Sequence, residues 1–116
     1  IFKIVDMVNL NYLDKAIKML QPSGEENELV APGDDYAAAA ESLRDSRLQF
    51  IKFRDSFCDS QYFSAGGSRR VGVWQNCMKI VTKQYTLYIW QVHLSHKGEP
   101  IFDDFPEPTY NDDTLY

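Results

Sequence analysis

The residues of this sequence with the most distinctive chemistry are two cysteines, Cys58 and Cys77. As free thiols they would be small buried hydrophobes; joined, they would close a loop of roughly twenty residues and remove about 3 kcal/mol of unfolded-state entropy. Arg54 stands beside Asp55. That pair reads in two ways: as a charged couple offered to a partner, or as an internal one in which Arg54 bonds acceptors between helices while Asp55 stays solvated. Gly66, Gly67, Ser68, Arg69 and Arg70 set backbone N–H donors beside two guanidinium groups, a group able to hold a phosphate or carboxylate. The plainer reading is a solvated reversal, since no phosphate-loop spacing accompanies it. His93 and His96, three apart, could share a helix face and bind a metal with Asp103 or Asp104. Two histidines near a helix end are more often ordinary surface residues, and no metal or other cofactor is expected. No Ser or Asp has a spacing that ties it to a histidine, so a binding role is expected rather than an enzyme.

The elements that must position these groups follow from hydrophobic spacing. Phe2, Val5, Val8, Leu13, Ile17 and Leu20 fall mostly three to five apart, which predicts an amphipathic first helix over Phe2 to Leu20. Gln21 to Gly33 holds Pro22, Gly24, Pro32 and Gly33 among acidic residues and reads as a connection with little regular structure. Asp34 then suits an N-cap, with Asp35 in the first turn. Tyr36 to Phe63 is the strongest helical stretch, with Ala40, Leu43, Phe50, Ile51, Phe57 and Cys58 on one stripe. Arg47 and Arg54 lie on or beside that stripe, which is unusual for a face meant only to be dry. SAGGSRR, residues 64–70, breaks the pattern with two glycines suited to a tight reversal. In Val71 to about Leu94, Trp74, Cys77, Val81, Tyr85, Tyr88 and Val92 repeat every three or four, yet Tyr85 to Leu94 could also alternate as a strand.

If the second and third segments are antiparallel helices joined at Ala65 to Ser68, Cys58 lies about two turns before the reversal and Cys77 about two and a half after it. Such positions face each other across a hairpin. This matching favours a disulfide and, with it, an oxidising compartment; two reduced thiols remain the alternative.

Totals narrow the class further. A chain of 116 residues with 44% hydrophobic and 14% aromatic residues is expected to form one core, with residues 1–96 as the folded domain. Residues 97–116 read as an extended, acidic, aromatic-containing tail, holding three prolines and no period. The net charge is -5, but from Gly98 onward there are six acidic residues and no Lys or Arg, so the body is close to neutral. Nucleic acid is a poor partner for such a chain, because phosphate binding draws on a basic face, and a basic protein is a better one. No apolar run is long enough to span a membrane. The sequence opens at Ile1 rather than Met, so the removal of a leading segment, a secretory signal among the ways, stays open.

The segment LRDSRLQFIKFRDSFCDSQYFSAGGSRRVGVWQNCMKIVT, residues 43–82, resembles the LprI-like family of bacterial secreted proteins, named for a lysozyme inhibitor among its members. Leu43, the triplet Phe53, Arg54, Asp55, then Cys58, the turn Gly66, Gly67, Ser68, the second cysteine Cys77, and Thr82 keep the family pattern. Arg47 stands where Gln is usual, Phe50 where Trp is usual and Tyr85 where Arg is usual. NLNYLDKAIKML is similar to the family's first helix without its spacing, and a further pair of cysteines found ahead of that helix in relatives is absent. The resemblance does not extend into the tail.

What the resemblance implies is an all-α fold, a small bundle of about three helices with a conserved disulfide, in a periplasmic or extracellular location. It also favours helix over strand for Tyr85 to Leu94. The function it implies is inhibition of lysozyme-like cell-wall hydrolases; an immunity or scaffold protein that binds another envelope or secreted protein is the alternative. The partner-binding residues expected on this reading are Arg54, Asp55, Arg69 and Arg70, with Phe102, Asp103, Asp104 and Phe105 of the tail. Aromatics spaced among carboxylates there suit a cationic cleft lined for sugars; a floppy solubilising tail is the plain alternative.

Overall fold

The structure, a computed structural model, describes residues 2–20 and 35–110. It contains three long helices, α1 (Phe2–Met19), α2 (Tyr36–Ser64) and α3 (Arg70–Ile89). A π-helical turn, Trp90–Leu94, continues α3, and a two-residue antiparallel ladder follows between β1 (Ser95–His96) and β2 (Glu99–Pro100). The stretch from Tyr85 to Leu94, open between helix and strand in the sequence, is helical throughout. Its buried positions explain why: Cys77, Met78, Thr82, Thr86, Ile89 and Trp90 recur at helical intervals, whereas a strand would bury every second residue.

The start of α2 differs from the sequence expectation by one residue. The cap is Asp35, whose Oδ1 accepts from the Ala38 N–H at 2.9 Å, and Asp34 lies outside the described residues, as does the connection 21–33. Satisfying one of the helix's unpaired N–H groups in this way contributes about 1 kcal/mol. Asp35→Ala should therefore lower the urea-unfolding free energy by about 1 kcal/mol, and Asp35→Ser should restore most of it. Equal stability of all three proteins would show that the cap contributes nothing.

At the far end of α2, Ala65 is extended and its N–H donates to the Gln61 carbonyl at 3.0 Å. Gly67 then adopts φ +68°, a left-handed conformation that costs a glycine little, and a short 3-10 turn over Gly67–Arg69 feeds directly into α3. The expected reversal at the glycine pair is thus present, and α2 and α3 form an antiparallel hairpin. Lys97 and Gly98 both have positive φ and join β1 to β2, the geometry of a mirror-image tight turn.

Helix α1 lies along this hairpin, parallel to α3. Near its start Asp6 meets Arg54 of α2; one turn on, Asn9 meets Thr86 of α3; its last turns join Leu13, Ala16 and Ile17 to Ala40, Ile89, Trp90 and Leu94 in the main apolar cluster. A second cluster consists of Cys58, Cys77 and Met78, flanked by Trp74 and Val81, and so draws on α2 and α3 alone. The hairpin thereby runs on past α1 as a two-helix arm, in a molecule with principal extents of 58 × 27 × 21 Å. This accounts for one departure from the expected apolar stripe on α2: Phe57 is 45% exposed, because among the described residues no third helix covers that side of the arm.

Candidate functional site

The arm is closed covalently. Cys58 and Cys77 form a disulfide, with Cα atoms 5.6 Å apart, and both residues are buried. The bridge lies roughly two turns of α2 below the reversal, so the helices cannot splay there, and among the described residues no free cysteine remains as a nucleophile.

Between the two apolar clusters sits a layer of polar side chains drawn from all three helices. Arg54 is 6% exposed, and its guanidinium reaches Asp55 Oδ1 at 3.0 Å through Nε, and Asp6 Oδ1 at 3.4 Å and Thr82 Oγ1 at 3.3 Å through Nη1. Arg47 donates to Asp6 Oδ1 at 3.1 Å and to Asn9 Oδ1. Asn9 in turn donates to Thr86 Oγ1 at 2.9 Å, and the Thr86 hydroxyl donates to the Thr82 carbonyl at 2.9 Å. Two guanidinium groups and two carboxylates thus share one layer, so buried charge is compensated and most donors are engaged. Arg54 bonds acceptors on α1 and α3, while Asp55 remains about half exposed. A ring layer flanks them: Phe50 stacks on Tyr85 at 4.1 Å, with the Arg54 guanidinium 5.5 Å from the Phe50 ring.

The arm's end presents a different chemistry. Arg69 is exposed in the 3-10 turn. Arg70 is fixed by a 3.3 Å bond from Nε to the Ala65 carbonyl and by its position 5.0 Å over the Tyr62 ring. Phe63 and Val71 are 73% and 54% exposed. Trp74 binds the arm laterally through Nε1 to Asp59 Oδ1 at 3.0 Å.

At the other end the first part of the acidic tail lies against the helices. Trp90 Nε1 donates to the Phe105 carbonyl at 2.9 Å, and the Tyr12 hydroxyl donates to the Pro106 carbonyl at 2.7 Å. Phe105 meets Tyr12 edge-on at 5.1 Å, and the Lys15 ammonium lies 4.1 Å from the Phe102 ring. Phe102 and Phe105 therefore face inward, while Asp103 and Asp104 between them face solvent. Burial pushes the Tyr12 hydroxyl above the usual phenol range. The structure thus brings Arg54 and Asp55 together at the polar layer, places Arg69 and Arg70 at the arm's end, and sets Phe102 to Phe105 at the base.

His93 and His96 do not share a helix face. His93 lies within the π turn, half-buried, and desolvation holds its imidazole below its ordinary pKa; His96 is exposed on β1. Among the described residues no three His, Cys, Asp or Glu side chains are placed to hold a metal ion, and no helix is long and apolar enough to cross a membrane. The groups that sequence reasoning missed are Asp6 and Asn9. Both look like solvated residues of an amphipathic helix, and their partners on α2 and α3 are more than thirty residues away in sequence.

The family model described as "Lysozyme inhibitor LprI" matches residues 8–88, from the first helix through the arm and back to the end of α3. No curated protein and no solved structure matches the chain.

Proposed function

This chain belongs to the LprI lysozyme-inhibitor family, and from that premise we propose that it is a periplasmic or extracellular binding protein that inhibits a lysozyme-like cell-wall hydrolase. The single observation that carries the reading beyond the family is the disulfide-closed arm. A rigid two-helix projection bearing exposed aromatic, aliphatic and arginine side chains is suited to docking, because little conformational freedom is lost when it binds. An internal disulfide also fits an oxidising compartment.

Within this reading the carboxylates Asp103 and Asp104 steer the encounter. Lysozyme-like enzymes are cationic, and exposed carboxylates raise the association rate with such a partner in a salt-dependent way. Arg69 and Arg70 belong to the contact itself. Arg54 and Asp55 act on the partner by fixing the base of the arm, since Arg54 is held within the helices.

Titration against a panel of lysozymes, read as cell-wall lysis at low and moderate salt, is expected to show inhibition at micromolar concentration that weakens as salt rises. Asp103→Asn with Asp104→Asn should flatten the salt dependence while leaving the fold intact, whereas cutting the tail at Lys97 would also remove the partner of Trp90. If no lysozyme is inhibited at micromolar concentration, the inhibitor reading falls, and the chain is a binder of some other envelope protein.

A further inference from the structure

Building on the inhibitor reading, we propose that the end of the α2–α3 arm is a plug, which enters the saccharide cleft of the target hydrolase and sets Arg69 against its catalytic carboxylates. Charge carries the argument first. Between Asp59 and Lys79 the only charged residues are Arg69 and Arg70, so the arm's end is doubly cationic and free of carboxylates, in a chain whose net charge is -5. Glycoside hydrolases act through a pair of Asp or Glu carboxyl groups, roughly 5 to 9.5 Å apart, on a transition state that resembles an oxocarbenium cation. Their clefts are therefore built to favour positive charge at that point. A planar guanidinium, able to bond a carboxylate through two parallel N–H groups, is a stable cation of matching shape.

Shape and rigidity support the same assignment. The arm projects beyond α1, and its sides are joined by the Cys58–Cys77 bridge and by the Trp74 to Asp59 hydrogen bond, so the end is held ready. Phe63 and Val71 flank the reversal as exposed apolar surfaces of the kind that sugar subsites accept. At the apex itself, a Cβ built on Gly66 or Gly67 meets no atom within 4 Å, so the backbone stands bare and can approach a partner closely. The acidic tail is the poorer plug. The rings of Phe102 and Phe105 are engaged with Tyr12 and Lys15, and the tail's carboxylates would be set against carboxylates in a cleft of this kind. Steering by the tail and plugging by the arm are thus separate tasks at opposite ends of the hairpin.

Two substitutions test the plug without touching the interior. Arg69→Glu reverses the exposed charge. Gly66→Trp places a bulky side chain at the apex, at a residue with φ -87° and ψ 155°, a conformation open to any amino acid. Against a lysozyme that the unmodified protein inhibits, each should raise the inhibition constant by at least about tenfold, with the thermal midpoint within about 2 °C of the unmodified protein. A trimer of N-acetylglucosamine, which fills the cleft, should raise the apparent inhibition constant in proportion to its concentration. Unchanged potency of both variants, or indifference to the trimer, would overturn the plug while leaving inhibition standing. Failure of the unmodified protein to inhibit any lysozyme would instead remove the inhibitor reading, and the plug with it.

Discussion

Replacing Cys58 and Cys77 together by alanine is expected to lower the unfolding free energy by about 3 kcal/mol, the largest effect of any change at the arm. The cysteines are 19 positions apart, so the bridge removes the freedom of a loop of that size from the unfolded chain. The native state loses as well, because the two cysteines supply two of the three buried residues in the arm's cluster, leaving Met78 with little to pack on. For a domain whose total stability is on the order of 5 to 15 kcal/mol, this is a sizeable share. Urea titration of the double variant, and of the unmodified protein with and without reductant, measures it. Hydrogen exchange should place the first opening in residues 55–80, with the cluster around Trp90 still protected. Coincident urea midpoints with and without reductant would show that the bridge adds nothing to a fold already secure.

The polar layer gives the second large effect. Arg54→Ala is expected to cost about 3 kcal/mol, because it withdraws one partner from an internal ion pair and leaves the Asp6 and Thr82 oxygens short of a donor. The value falls at the low end for such losses, since Asp6 keeps Arg47 at 3.1 Å and is itself 28% exposed. Arg54→Lys should recover little. A single ammonium cannot reach Asp55, Asp6 and Thr82 in three directions, whereas the planar guanidinium does. A double-mutant cycle with Asp6→Asn isolates the pair, and the two losses should be strongly non-additive. A cost below about 1 kcal/mol for Arg54→Ala, or full rescue by lysine, would mean that the layer is a bystander.

Much of this architecture was legible in the residues. The hairpin could be read because its determinants are local: a glycine pair for the reversal and two cysteines at matching distances from it. The unusual place of Arg47 and Arg54 on an apolar stripe already pointed to something polar inside, and the structure supplies it. What spacing could not give was the other half of that layer. Asp6 and Asn9 find their partners across distances of 38 to 77 positions, and only the docking of α1 against α3 brings them together. Phe57 misled for the converse reason: its period is that of the core, but among the described residues no third helix reaches that side of the arm. The turn at Lys97 and Gly98 was hidden because a lysine at φ 53° has no compositional mark, and the inward packing of Phe105 because its anchor is a backbone carbonyl.

The polar layer also bears on how the bundle chooses its alignment. Aliphatic contacts such as those of Leu13 and Ile17 are forgiving, and a helix that slid lengthwise by one turn, about 5.4 Å, would still find grease to sit on. Directional bonds are not forgiving. A slip of that size would carry an apolar residue such as Leu10 into the place of Asp6 and take from Arg47 and Arg54 the carboxylate they share on α1. Arg47 and Arg54 therefore work as a ratchet tooth on α2, admitting α1 at one setting and penalising its neighbours on either side.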